Sequence, residues 1–372
     1  MADRRRAIDL VLPHLRVLDG YEAVDPPEVL AERAGIPVSE VVKLDANENP
    51  YGPSSKVAEA LASLRDAHLY PDPAQGAMRA AVGRYVGLAP EHVVVGNGSD
   101  EIIDLLFRAV LGPGDAVVNS VPTFGMYEFT AQVCNARIVE IERDDAFAVD
   151  IDAVLAAAGE QHAKIIAIAS PNNPSGNPTS PEDIERLLAS DCLVIVDEAY
   201  AEFGDSSVAA LVPKRPSLVV LRSMSKWAGL AGLRVGYGLM DAALAEVLMR
   251  AKPPYNVNQA AEAALLASLA DAEALQERVR LIVAERARMH RLLDAIPGVT
   301  PLPSEANFIL CRLPEGRGRD VHERLAGRGV FVRYYARGVL ADYLRISVGK
   351  PADTDRLIAS LIEALSETLS EA

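Results

Sequence analysis

Residues 218–236 read LVVLRSMSKWAGLAGLRVG. Leu218–Leu221 is a short, unbroken apolar run of the kind that suits a strand covered on both faces. It delivers Arg222, Ser223, Ser225 and Lys226 into a glycine-rich loop, with Arg234 eight positions beyond the lysine. A lysine at a strand end is ordinarily a solvated charge. Here small hydroxyl residues flank it. A nearby cation and partial burial both lower a lysine pKa, which favours the neutral amine needed for imine chemistry. Ser223, Ser225 and Arg234 are also suited to neutralising a phosphate.

Comparable apolar runs lie outward from this one, at Val93–Val95, Ala116–Asn119, Ile165–Ala169, Leu193–Val196 and Val235–Leu239. Helical patterns at Glu101–Val110, Pro181–Leu188 and Ala242–Arg250 separate several of them. Strand–helix alternation predicts an α/β fold, a mostly parallel sheet flanked by helices, whose ligands sit beyond the C-terminal strand ends. Gln259 to about Ile296 reads as one long helix stopped by Pro297-Gly298. Beyond it, strand candidates at Phe308–Arg312, Val330–Arg333 and Leu344–Val348 alternate with two helical stretches and predict a smaller α+β unit. The expected division is an arm over residues 1–42, a large domain over 43–270, and a small domain over 271–372 to which the arm contributes.

Composition excludes several classes. The 372 residues carry a formal charge of −15, which opposes a nucleic-acid face built from clustered Lys and Arg. The three cysteines, Cys134, Cys192 and Cys311, lack disulfide or metal-ligand spacing, so a reduced cytoplasmic chain without a metal is expected. Neither a signal peptide nor an apolar run of membrane-spanning length is evident, so no membrane partner is expected.

Two more strand ends carry polar chemistry. Val93–Glu101 reads VVVGNGSDE, a strand entering a helix through Gly96 and Gly98. Free N–H groups at such a helix start, with the Ser99 hydroxyl, make a phosphate site; the plainer alternative is that Ser99 or Asp100 merely caps the helix. A dinucleotide fingerprint would need a third glycine where Glu101 stands. Leu193–Tyr200 reads LVIVDEAY. Asp197 at that strand end is either a cap or a charge facing a ligand; beside a pyridine nitrogen it would keep the ring protonated and electron-withdrawing. Tyr200 is within reach of the same ring's phenolic oxygen. Upstream, Ser170–Gly176 reads SPNNPSG and brings an amide, best Asn173, to that edge, unless it is only an Asx turn.

A phosphate cradle, a strand-end aspartate and a lysine in a serine-rich loop are the parts of a pyridoxal 5′-phosphate site. In these segments, from about Lys43 to Lys350, the sequence resembles the fold-type I, class I/II aminotransferases. Leu44–Pro53 (LDANENPYGP), Tyr70–Pro73 and Pro122–Tyr127 (PTFGMY) are similar to the histidinol-phosphate aminotransferase family. The resemblance implies a homodimer with shared active sites, in which Tyr51 reaches the partner's cofactor phosphate and Phe124 stacks on the pyridine ring. It implies Gly98, Ser99 and Asp100 at the cofactor, and Arg345 (in LRISVG) and Arg333 as substrate-anion contacts. Tyr21, Asn49 and Tyr255 are further expected substrate contacts, although Leu18–Glu22 departs from the family's arm pattern. The implied activity is transfer of an amino group from a phosphorylated amine, L-histidinol phosphate, to 2-oxoglutarate. Aromatic-amino-acid transamination and threonine-phosphate decarboxylation are the neighbouring alternatives, and a non-catalytic cofactor-binding regulator is a remote one.

Overall fold

A computed structural model describes residues 6–20, 23–336 and 338–370; the expected contact Tyr21 lies outside them. Twelve strands form two sheets: β1 (Val42–Leu44), β2 (Val93–Gly96), β3 (Ala116–Val121), β4 (Arg137–Glu142), β5 (Ile165–Ala169), β6 (Leu193–Asp197), β7 (Leu218–Ser223), β8 (Gly236–Leu239), β9 (Thr300–Pro301), β10 (Phe308–Arg312), β11 (Val330–Tyr334) and β12 (Tyr343–Ser347). The larger sheet has the order β2-β8-β7-β6-β5-β3-β4. Only β8 runs against its neighbours; β4, β3, β5, β6 and β7 pair in parallel. The expected α/β sheet is therefore present, and β5 and β7 are buried along their whole length, as continuous apolar runs require.

β4 escaped the apolar-run criterion because it alternates, RIVEIE, with its ends exposed. That is the pattern of an edge strand, and β4 closes one side of the sheet. The expected single helix over 259–296 is two helices, Gln259–Leu269 and Ala272–Asp294. The break is held from outside: Lys56 Nζ pairs with Asp271 at 2.8 Å and reaches the Ala270 carbonyl at 3.4 Å. Among the described residues, no helix is long and apolar enough to cross a membrane.

The smaller sheet has the order β1-β11-β12-β10-β9. β1 pairs in parallel with β11, Val42 to Leu44 opposite Val330 to Val332, and Leu44 is buried there. The expected boundary at residue 43 falls within this strand. Past β1, Asp45–Asn47 line the cleft between the sheets, where Asn47 bonds Tyr200 of the larger unit. The C-terminal ends of β2, β3, β5, β6 and β7 open onto that same cleft.

Candidate active site

A cavity of about 540 Å³ occupies this cleft. Its lining includes Ser99, Asp100, Phe124, Asn173, Asp197, Tyr200, Ser223, Ser225, Lys226, Arg234, Arg333 and Arg345. Residues from five strand ends of the larger sheet thus meet two arginines of the smaller one.

Lys226 stands three residues past the end of β7, and its Nζ donates to the Ala46 carbonyl at 3.2 Å. Burial pushes its pKa down to about 8, helped by the Arg345 and Arg234 cations and opposed by the Glu48 and Asp100 carboxylates. A fraction of the amine is therefore neutral near pH 7, which nucleophilic attack on a carbonyl requires. The Nζ lies 5.9 Å from the centre of the Tyr200 ring.

Asp197 ends β6, five per cent exposed, where Tyr127 Oη donates to its Oδ2 at 2.8 Å and the Ala199 amide to its Oδ1 at 3.0 Å. Burial pushes its carboxyl up to about 6 even against these two donors. An isolated buried carboxylate is costly, and a cationic ring nitrogen beside it would offset that cost. Tyr200 accepts from Asn47 Nδ2 at 3.1 Å, and burial pushes its hydroxyl up to about 12, so it stays protonated and can donate.

At the opposite end, the Ser99–Val110 helix begins without a side-chain cap, leaving its first N–H groups for a ligand. Arg234 Nη2 donates to Asp100 at 3.0 Å and Nη1 to Ser225 Oγ at 3.5 Å, which gathers both serine-bearing loops at one point. The glycines here are spatial requirements. Gly98 has φ +85°, and a Cβ on it would lie 2.8 Å from Arg234 Nη2. Gly98→Ala is expected to weaken cofactor binding about ten- to hundredfold by displacing that guanidinium. Titrating the cofactor-free variant with pyridoxal phosphate checks this; unchanged affinity would remove Gly98 from the site.

Asn173 Oδ1 accepts from Arg345 Nη1 at 2.6 Å, which orients the amide so that Nδ2 is its remaining donor. Arg345 Nη2 donates to the Asp45 carbonyl at 2.5 Å, while its buried Nε has no partner among the described residues. Arg333 and Arg345 face each other across the β11/β12 pair, so both side chains leave the sheet on one face.

Not every expected residue enters this cavity. Tyr51 and Asn49 do not line it, and Tyr255 stacks on Tyr70 at 4.3 Å in an exposed pair away from it. Contributors that carried no assignment include Tyr127, Asn47, Tyr335 and the Ala46 carbonyl. Asn47 has φ +53°, which asparagine tolerates better than most residues, and it joins Ser347 of the smaller sheet to Tyr200 of the larger.

The donor set fits pyridoxal phosphate on three counts. Uncapped helix amides with Arg234 and Ser225 suit the phosphate, Asp197 suits the pyridine nitrogen, and Lys226 lines the same cavity. Phe124, edge-on to Tyr127 at 5.7 Å, supplies an apolar surface for the ring.

The sequence profile of "Aminotransferase class I and II" matches residues 39–361. The chain is 48% identical to a histidinol-phosphate aminotransferase of Roseiflexus castenholzii, over 95% of this chain and 98% of that protein. It is 44% identical to the chloroplastic histidinol-phosphate aminotransferase of Nicotiana tabacum, over 94% of this chain and 86% of that one. The histidinol-phosphate aminotransferase of Sinorhizobium meliloti, solved with pyridoxal 5′-phosphate, superposes with a TM-score of 0.89 at 27% identity, covering 96% of this chain and 98% of that one. The chain belongs to the aminotransferase class I and II family and is a pyridoxal-phosphate-dependent aminotransferase.

Proposed function

We propose that the chain transfers the amino group of L-histidinol phosphate to 2-oxoglutarate, giving imidazole acetol phosphate and L-glutamate. The observation that carries this is the pair of arginines, Arg333 and Arg345, on one face of β11/β12 in the cavity that Lys226 lines. Two guanidinium groups can take a phosphate from the amine in one half-reaction and carboxylates of the 2-oxo acid in the other. The names of relatives at 41–48% identity favour the same substrate.

Bound pyridoxal phosphate supplies an electron sink for charge developing at the substrate Cα. The chain's residues do the rest. Asp197 would hold a proton at the pyridine nitrogen, and Asn173 Nδ2 with Tyr200 Oη would donate to the phenolic oxygen. Lys226 would hold the cofactor, and as a free neutral amine its Nζ would be the base that takes the substrate Cα proton.

In the same reading the enzyme is a cytoplasmic homodimer. Tyr51 does not line the cavity of its own protomer, which suits a residue whose hydroxyl serves the partner's phosphate site. Free Cys134, Cys192 and Cys311 suit a reducing compartment.

A half-reaction screen tests the substrate. The cofactor-loaded protein is mixed separately with L-histidinol phosphate, L-phenylalanine and O-phospho-L-threonine, following the visible cofactor band and carbon dioxide release. Bleaching is expected to be at least about tenfold faster with histidinol phosphate, the discrimination that one extra buried charged contact provides. Carbon dioxide from phosphothreonine, or faster bleaching with phenylalanine, would overturn the proposed substrate.

A further inference from the structure

Asn49, expected at the substrate, has both polar atoms committed elsewhere. Its Nδ2 donates to the Trp227 carbonyl at 2.9 Å, and its Oδ1 accepts from the Tyr51 amide at 2.9 Å. Trp227 is the residue after the cofactor lysine. Tyr51 is the residue that the dimeric reading sends into the neighbouring site. One short side chain therefore ties the lysine loop to the Tyr51 loop.

The surrounding contacts make these two loops a single body. Gly229 has φ +69°, and a Cβ there would lie 2.6 Å from the Gly52 carbonyl carbon, so the two backbones touch. Arg278 Nη1 reaches the carbonyls of Tyr51, Gly52 and Pro53 at 3.3, 2.8 and 2.6 Å. On the other side, fully buried Trp227 stacks on Tyr85 with ring centres 5.2 Å apart and planes within 2°. Lys350 Nζ lies 5.8 Å from the Tyr51 ring centre. Asparagine offers a donor and an acceptor at this reach; aspartate keeps only the acceptor and alanine neither.

We propose that Asn49 is a positioning residue that fixes Lys226 in its own active site and Tyr51 for the partner's phosphate site at the same time. The two active sites of the dimer are thereby linked through one amide. This inference rests on the cross-interface reading of Tyr51. It assigns Asn49 no contact with substrate.

The test uses purified holoenzyme and four variants: Asn49→Ala, Asn49→Asp, Tyr51→Phe, and Asn49→Ala combined with Tyr51→Phe. Two quantities are read, the cofactor dissociation constant and the pH midpoint of the visible band of the lysine-bound cofactor. Tyr51→Phe should raise the dissociation constant about tenfold, the loss of one charge-assisted hydrogen bond, and leave the midpoint in place. Asn49→Ala should raise the dissociation constant by a similar factor and also move the midpoint upward by roughly half a pH unit, as Lys226 relaxes away from the Arg345 and Arg234 cations. The double variant should lose less cofactor affinity than the two single variants' losses combined, since both changes remove the Tyr51 contact. Asn49→Asp keeps the acceptor for Tyr51 and should retain cofactor nearly as wild type does, which guards against an alanine variant that fails to fold. Additive losses in the double variant, or an unmoved midpoint in Asn49→Ala, overturn the inference. So does Asn49→Asp losing cofactor as Tyr51→Phe does. Should Tyr51→Phe bind cofactor normally, the cross-interface reading falls and the inference with it, which separates the two failures.

Discussion

Lys226→Ala is expected to lower amino-transfer turnover by at least about 10⁴-fold and to abolish the visible band of the lysine-bound cofactor. Both losses follow from one atom. In the proposed reading Nζ is both the covalent anchor for the cofactor and the base for the Cα proton, and no other lysine amine among the described residues lines the cavity. The surroundings tune it for both roles, since burial first, then the cations of Arg345 and Arg234, push its pKa down to about 8. Lys226→Arg should be no better than alanine, because a guanidinium stays charged and cannot form the imine. Single-turnover mixing of each variant with glutamate decides the matter. A rate within about tenfold of wild type would show that another group moves the proton.

The fold was legible because its strongest signals are local. The apolar runs that became β3, β5, β6 and β7 need only their own composition to be recognised. β4 was missed since an edge strand alternates, and the break at Ala270-Asp271 was missed since Lys56, far away in sequence, helps hold it. The same division runs through the site. Ser99, Asp197 and Lys226 stand at strand ends, so local reading placed them on one edge of the sheet. Tyr127 reaches Asp197 across 70 residues, and Asn47 reaches Tyr200 across 153. Those pairings depend on tertiary packing that no window of sequence contains. Asn49 illustrates the limit most sharply: its motif marked it, but only its partners, Trp227 and Tyr51, indicate what it holds.

Asp197→Asn is expected to have two large effects of opposite sign. Turnover should fall by about 10³-fold, since a neutral amide cannot hold the pyridine nitrogen protonated in a site where preorganised charge does most of the work. The cofactor-free protein should instead become more stable. Burial raises the Asp197 carboxyl from 3.8 to about 6, so between these values the folded chain binds more protons than the unfolded one. Stability then decreases as pH rises through that window, and the penalty is complete above about pH 6, a shift of roughly two units costing on the order of 3 kcal/mol. Asparagine carries no such penalty, and it can still accept from the Ala199 amide and donate to Tyr127 Oη. In urea unfolding of the cofactor-free proteins, the variant should exceed wild type by roughly 1–3 kcal/mol at pH 8, with the gap closing below about pH 4. A gap independent of pH would mean that Asp197 is not the titrating group. Adding pyridoxal phosphate should reverse the order at pH 8, because the ring cation compensates aspartate and not asparagine. The residue is thus a cost to the empty fold that the bound cofactor offsets, which is the relation between strain and function expected of a group placed for chemistry.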